Sequence, residues 1–183
     1  MKHARKLASL LLALVMAFAL ATTAFAAEKT GSITISNPAE GQTYKAYLMF
    51  ELESYNPETG AYSYKITNNW QDFVTGDGKD YFSIDNQGYV TLKEDVTAEA
   101  AATIAKAAVA YAASKSLTPA ATLPEDGDYT ASGLTLGYYV VDSSLGALCG
   151  LTTTNPSATI SEKNEAPTNV KTVEEDSTDK YIF

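Results

Sequence analysis

Histidine and cysteine are almost absent from this sequence, which contains only His3 and Cys149. With a single cysteine the chain can form no internal disulfide, so an exported domain would depend on the size of its core or on another cross-link. Cys149 lies in an apolar run, and we interpret it as a buried structural thiol instead of a reactive one. Disulfide-stapled and thiol-catalytic classes of protein are therefore disfavoured.

The first 26 residues have the three parts of a secretory signal peptide. A basic head precedes an apolar run of 14 residues, Leu7 to Leu20, and an A-x-A site follows at residues 24–26. The apolar run is shorter than the roughly 20 residues that a membrane-spanning helix needs. We therefore expect cleavage between Ala26 and Ala27, a secreted or cell-surface location, and no membrane anchor in this chain.

Cleavage would also change the charge and remove the one histidine. It takes away three of the 13 Lys and Arg residues and none of the 22 acidic ones, which leaves a net charge of −12. A surface this acidic repels phosphate backbones and anionic lipid, so we expect no nucleic-acid partner. Without His3 the mature chain lacks the usual base of Ser/His/Asp and Cys/His catalysis and the histidine ligand of zinc. We therefore predict a protein that is not an enzyme and holds no cofactor or metal.

Three other patterns bear on function. A carboxylate pair of the glycosidase type is compatible with the many acids, although nothing in the sequence places two of them together. Asp77, Asp80 and Asp85 do not have the spacing of a calcium loop, and we interpret them as turn residues. The 12 tyrosines would suit a carbohydrate groove, but on alternating strands we favour packing in the core and on sheet faces.

Hydrophobic periodicity predicts a mostly β domain with one helix. The helix is expected over 95–116, where Ile104, Ala108, Tyr111 and Ala112 share a face, with Thr97 or Asp95 as its cap. Residues 68–80 break the β pattern, and 119–128 is predicted to be a loop. Strands are predicted at 31–36, 44–52, 61–67, 81–84, 89–92, 137–142 and 158–161, with turns at 56–60 and 85–88.

The composition shifts after residue 165. We predict one domain over 28–165, and over 166–183 a linker with the first strand of a second domain. A small α+β domain and a carbohydrate-binding sandwich are the alternative folds.

Residues 134–142 resemble the L-x-x-G-x-Y-x-V-x-E segment, the E-box region, of Gram-positive pilin and collagen-adhesin (Cna-type) immunoglobulin-like repeats. Asp142, which stands one position before the acid of that ten-residue pattern, is taken as the E-box-like acid. Other stretches are similar to the amino-terminal domain of major fimbrial subunits that form isopeptide bonds. These stretches are 31–35 with 44–47, and 137–149 running on to 153–156 and 162–164.

The resemblance implies an immunoglobulin-like, Cna-type β-sandwich with one inserted helix. It implies a structural subunit of a sortase-assembled cell-surface pilus, whose partners are other pilin subunits and a pilus sortase. The family's Y-P-K-N pilin motif corresponds here to residues 160–164, which keep Lys163 and its neighbour Asn164. Lys163 is thus the candidate sortase acceptor. The alternative is a secreted or surface adhesin, or carbohydrate-binding module, that binds a host glycan or protein.

Members of this family often carry Lys–Asn isopeptide bonds inside their domains, promoted by a buried acid. The predicted first strand, 32–36, has no lysine, so we expect no internal bond in this domain. Lys171 resembles the isopeptide lysine of the following domain. The sequence has no LPxTG-like sorting signal, so we expect this chain, as given, to accept a link without donating one.

Overall fold

The computed structural model describes residues 30–93, 97–143 and 146–162, and within these ranges the protein is mostly β. The predicted signal peptide, Asp95 and the predicted second-domain strand lie outside the described residues. The strands are β1 (Thr30–Ser36), β2 (Tyr44–Asn56), β3 (Ala61–Ile66), β4 (Phe82–Ile84), β5 (Tyr89–Leu92), β6 (Ala121–Leu123), β7 (Thr130–Thr135), β8 (Gly137–Val141), β9 (Ala147–Leu151) and β10 (Ser157–Ser161). The helices are α1 (Gln71–Thr75), preceded by a 3-10 turn at Asn68–Trp70, and α2 (Ala98–Ser114).

The described strands form two sheets that face each other. The small sheet has the order β10-β1-β7, with β1 parallel to β10 and antiparallel to β7. The large sheet has the order β4-β5-β3-β2-β8-β9, and β6 pairs with the start of β2. Ile33 and Ile160 of the small sheet share one buried cluster with Tyr44, Tyr139 and Leu151 of the large sheet. This arrangement is consistent with a β-sandwich.

The large sheet is also covered on its outer face, by the two helices. Met49 and Val140 of the sheet pack there in a second buried cluster with Trp70 and Phe73, which flank the start of α1, and with Ile104 of α2. A bulge in β2 between Leu48 and Phe50 redirects the side chains along this strand. A sheet buried on two faces needs apolar residues on both, which explains the nearly continuous apolar run of β8.

The helix prediction is confirmed over most of its length. Ile104, Ala108 and Ala112 are each at most 1% exposed and pack against the large sheet. The Thr97 side chain accepts a hydrogen bond from the Ala100 N–H at 3.2 Å, so Thr97 is the observed cap. Within the described ranges, neither helix combines the length and the hydropathy of a membrane-spanning segment.

Two of the predictions made from the sequence were wrong. The predicted loop 119–128 contains β6, a three-residue strand that is too short for alternation to reveal. Residues 68–80 contain α1, so the domain has two helices where one was predicted. α1 forms because its own residues Phe73 and Val74 are buried against the large sheet together with Trp70, which precedes the helix. Each of the three is at most 2% exposed. β9 was not predicted either, because its apolar run lacks a clear period.

The predicted hairpins are present, and their turns are held by side chains. Asn56 Oδ1 accepts hydrogen bonds from the N–H groups of Glu58 and Thr59 in the turn between β2 and β3. Asp85 Oδ1 accepts from the N–H groups of Gln87 and Tyr89, at 2.8 and 2.9 Å. The interpretation of Asp85 as a turn residue is therefore confirmed.

Candidate functional site

The sequence predicts an E-box-like segment at residues 134–142, and these residues form the end of β7, the following corner and β8. Tyr139 is fully buried between the sheets, and its hydroxyl donates a hydrogen bond to the Thr135 carbonyl at 2.7 Å. Leu134 and Val141 lie in the same cluster. The tyrosine therefore ties β8 back to the end of β7, and these residues have a structural role at the centre of the domain.

Asp142 continues the ladder just after β8, where its N–H donates to the Lys45 carbonyl at 2.9 Å. Tyr139 and Val141 face the core between the sheets, and strand alternation turns the next residue to the opposite face. Tyr47 lies on that opposite face, and burial together with the Asp142 charge raises its pKa. The half-buried Asp142 thus faces the helix side of the large sheet, away from the inter-sheet core.

The lysines of the described residues are all exposed. They are Lys45, Lys65, Lys79, Lys93, Lys106 and Lys115. Lys65 Nζ lies 3.8 Å from a carboxylate oxygen of Glu53 in a solvent-exposed ion pair. An internal isopeptide bond requires a buried lysine as its nucleophile, and none of these six is buried.

The described chain ends beside the small sheet. Glu162 follows β10, is 4% exposed, and donates its N–H to the Ser36 carbonyl at the end of β1. Lys163 is the next residue in the chain. Lys163, Asn164 and Lys171 lie outside the described residues, as do the cleavage residues Ala26 and Ala27.

Four half-buried tyrosines form a row across the outer face of the large sheet. Ring centroids are 4.7 Å apart for Tyr55 and Tyr62, 6.4 Å for Tyr62 and Tyr64, and 6.3 Å for Tyr64 and Tyr138. Burial, with a smaller effect from Tyr62, raises the pKa of Tyr64 to about 12, and burial also raises that of Tyr138. This tyrosine row borders a small apolar hollow of about 50 Å³, lined by Phe50, Tyr64, Phe82, Val90, Leu92 and Tyr138.

A larger and polar cleft lies at the end of the large sheet, where β3 leads into α1 and β4 turns into β5. Its volume is about 540 Å³. Four exposed carboxamide side chains line it, those of Asn68, Gln71, Asn86 and Gln87, with Ile66 and Ile84 as apolar wall. Asp85, Gly88 and Lys65 complete the lining. We call this feature the amide cleft.

Sequence reasoning did not find the amide cleft, because its residues come from two segments that only the fold brings together.

No protein-family model matches the sequence, and no curated protein is significantly similar to it.

Proposed function

We propose that this protein is a structural subunit of a sortase-assembled cell-surface pilus, secreted through the signal sequence at residues 1–26. We also propose that the two facing sheets form an immunoglobulin-like, Cna-type sandwich. In this proposal a sortase joins the carboxyl-terminal sorting signal of one subunit to the side-chain amine of Lys163 on the next. The partners are other copies of the subunit and the sortase.

The observation that carries this proposal is the way the chain leaves the domain. Glu162 is buried and hydrogen-bonded beside Ser36, so the fold holds the main chain up to the residue before Lys163. The strand end that precedes Lys163 is therefore the same on every subunit. A shaft built from repeated end-to-end links needs this constancy, because each link must have the same geometry.

The β1–β10 pairing adds mechanical support to the same end of the domain. Ser32 to Ser36 pair in parallel with Ser157 to Ser161, so the strand that leads to Lys163 is hydrogen-bonded along its length to the first strand. A pull on Lys163 would load these bonds in shear, along the strands, where several must break together. This is a suitable arrangement for a load-bearing subunit.

The alternative proposal is a surface adhesin or carbohydrate-binding module. Two observations favour it, the half-buried tyrosine row and the amide cleft. A shaft subunit and a binding module are compatible on one domain, because these features lie on the large sheet and the chain leaves from the small one.

The test is covalent polymerisation. Residues 1–183 are extended with an LPxTG-type sorting signal and co-expressed with a pilus sortase in a Gram-positive host. We expect a ladder of high-mass species in the cell-wall fraction that survives boiling in detergent, and no ladder with an inactive sortase. Monomer alone in the presence of active sortase would overturn the proposal.

A further inference from the structure

We infer that the amide cleft is a binding site for a neutral saccharide. This inference stands apart from the pilus proposal, because it uses only the described residues at the end of the large sheet. The cleft volume of about 540 Å³ lies in the range, about 300–1,000 Å³, that small-molecule sites occupy. A mono- or disaccharide fits a space of this size.

The side chains of the cleft match the chemistry of a sugar. Each carboxamide of Asn68, Gln71, Asn86 and Gln87 offers both hydrogen-bond donors and an acceptor, as each sugar hydroxyl does. Within the described part of the chain, none of these four side chains makes a hydrogen bond to another residue. Ile66 and Ile84 supply an apolar wall for the C–H face of a sugar ring. The lining and the sugar therefore both combine hydrogen-bonding groups with an apolar face.

Both walls of the cleft are fixed before any ligand binds. Trp70, 2% exposed, holds the 3-10 turn that carries Asn68. On the other side, Asp85 accepts two hydrogen bonds within the turn that carries Asn86 and Gln87, and Gly88 supports this turn with a φ of +88°. Because the main chain of both walls is already ordered, ligand binding costs little main-chain conformational entropy.

The charges around the cleft favour a neutral ligand over an ionic one. Lys65 contributes mainly its stem, which lies near Gly88, while its ammonium group pairs with Glu53 at 3.8 Å. One oxygen of Asp85 already accepts two main-chain hydrogen bonds. Neither a cluster of cations for a phosphate nor a cluster of acids for a metal lines this cleft.

A peptide strand is a poorer match than a saccharide. Peptides that add to a sheet are held by unpaired main-chain groups of the receptor. The N–H groups of Ile66, Asp85 and Gly88 are already paired, with the carbonyls of Gly88, Tyr89 and Asp85. The cleft thus offers side-chain amides in place of a free strand edge, and these favour a ligand with many hydroxyl groups.

The test is an NMR titration of the secreted domain, labelled with ¹⁵N, against galactose, glucose, mannose, N-acetylglucosamine, N-acetylgalactosamine and lactose. We expect at least one sugar to shift the amide signals of residues 66–71 and 84–88 in a saturable way. The same titration with acetyl-trialanine amide serves as the peptide probe, and we expect no saturable shift from it.

Matched variants decide whether the carboxamides do the binding. Asn68→Ala and Asn86→Ala each remove one cleft amide, and we expect each to weaken binding at least about fivefold, the effect of one hydrogen bond. Asn69→Ala removes the neighbouring amide, which does not line the cleft, and we expect unchanged affinity. Spectra elsewhere in the domain check that each variant folds. The inference is overturned if no sugar binds at 100 mM, if the peptide binds there instead, or if both cleft variants bind like the Asn69 control.

Discussion

Gly137 lies so close to the main chain of β2 that a Cβ atom on it would come within 2.3 Å of the Phe50 carbonyl oxygen. Leu48 Cδ1 would lie 2.7 Å from the same Cβ atom. A side chain at this position therefore has no space unless β8 moves away from β2. Since these are central strands of the large sheet, Gly137 sets the spacing on which the two-sided core depends.

We predict that Gly137→Ala lowers the free energy of unfolding by about 3 kcal/mol, the upper end of the overpacking range. The matched control is Gly150→Ala on the next strand. There a Cβ would meet Tyr138 at 3.7 Å, an ordinary contact, so we expect a change of less than about 1 kcal/mol. Urea unfolding of both variants is the measurement. Equal stabilities for the two variants would contradict the close approach of Gly137 to Phe50.

Cys149 makes stability depend on pH in the alkaline range. Burial raises the pKa of its thiol from 9.0 to about 12. Between these values the unfolded chain loses the thiol proton and the folded chain keeps it, so the contribution to stability is full below pH 9 and falls as the pH rises. Tyr64 and Tyr138, whose pKa values are also raised by burial, act in the same direction.

We predict that Cys149→Ala makes the fall in stability between pH 9.5 and 11 less steep, by up to about 1.4 kcal/mol per pH unit. The slope is the test, since the smaller side chain also lowers stability at every pH. Urea unfolding at a series of pH values measures it. Parallel curves for the two proteins would mean that the Cys149 thiol titrates alike in the folded and unfolded chains.

Thr97 stabilises the start of α2 by accepting a hydrogen bond from the Ala100 N–H. We predict that Thr97→Ala lowers the free energy of unfolding by about 1 kcal/mol, because that N–H loses its capping partner. For a domain of this size the midpoint of thermal unfolding should fall by about 3–5 °C. Thr97→Ser keeps the hydroxyl and should stay close to the wild type. A serine variant as unstable as the alanine variant would contradict the capping role.

Strong periodicity and turn chemistry made most of the elements predictable. The alternation of Ile33 and Ile35 in β1 and the helical spacing of Ile104, Ala108 and Ala112 each appear in the structure as a buried face. Local turn signals at Asn56 and Asp85 were equally reliable, since both residues bond their own turn. These features depend on neighbours in sequence, which the sequence displays directly.

The features that depend on distant contacts were not predictable in the same way. β6 is a strand because Ala121 and Leu123 pair with Ala46 and Tyr44 of β2, far away in sequence. The direction of Asp142 depends on the pairing of β8 within the sheet. The amide cleft joins the loop of Asn68 to the turn of Asn86, and no pattern in either segment indicates the other.

An internal isopeptide bond is not expected in this domain. The first strand has no lysine, the described lysines are all exposed, and Asp142 faces away from the inter-sheet core. Forming a Lys–Asn bond releases ammonia, so it lowers the intact mass by about 17 Da. We predict that residues 27–165, produced alone, have the full mass by high-resolution mass spectrometry. A deficit of this size would contradict the prediction and would direct attention to Lys45 or Lys65.

The most direct test of the central claim compares two lysines as sortase acceptors. Lys163→Ala and Lys171→Ala are introduced into the subunit that carries an appended sorting signal, and both are co-expressed with the pilus sortase. We predict that Lys163→Ala abolishes the ladder on denaturing gels, while Lys171→Ala leaves ladder formation intact. Mass spectrometry of the wild-type ladder should then find the sorting-signal threonine joined to Lys163. A ladder of normal height from Lys163→Ala would contradict the account and would place the acceptor elsewhere.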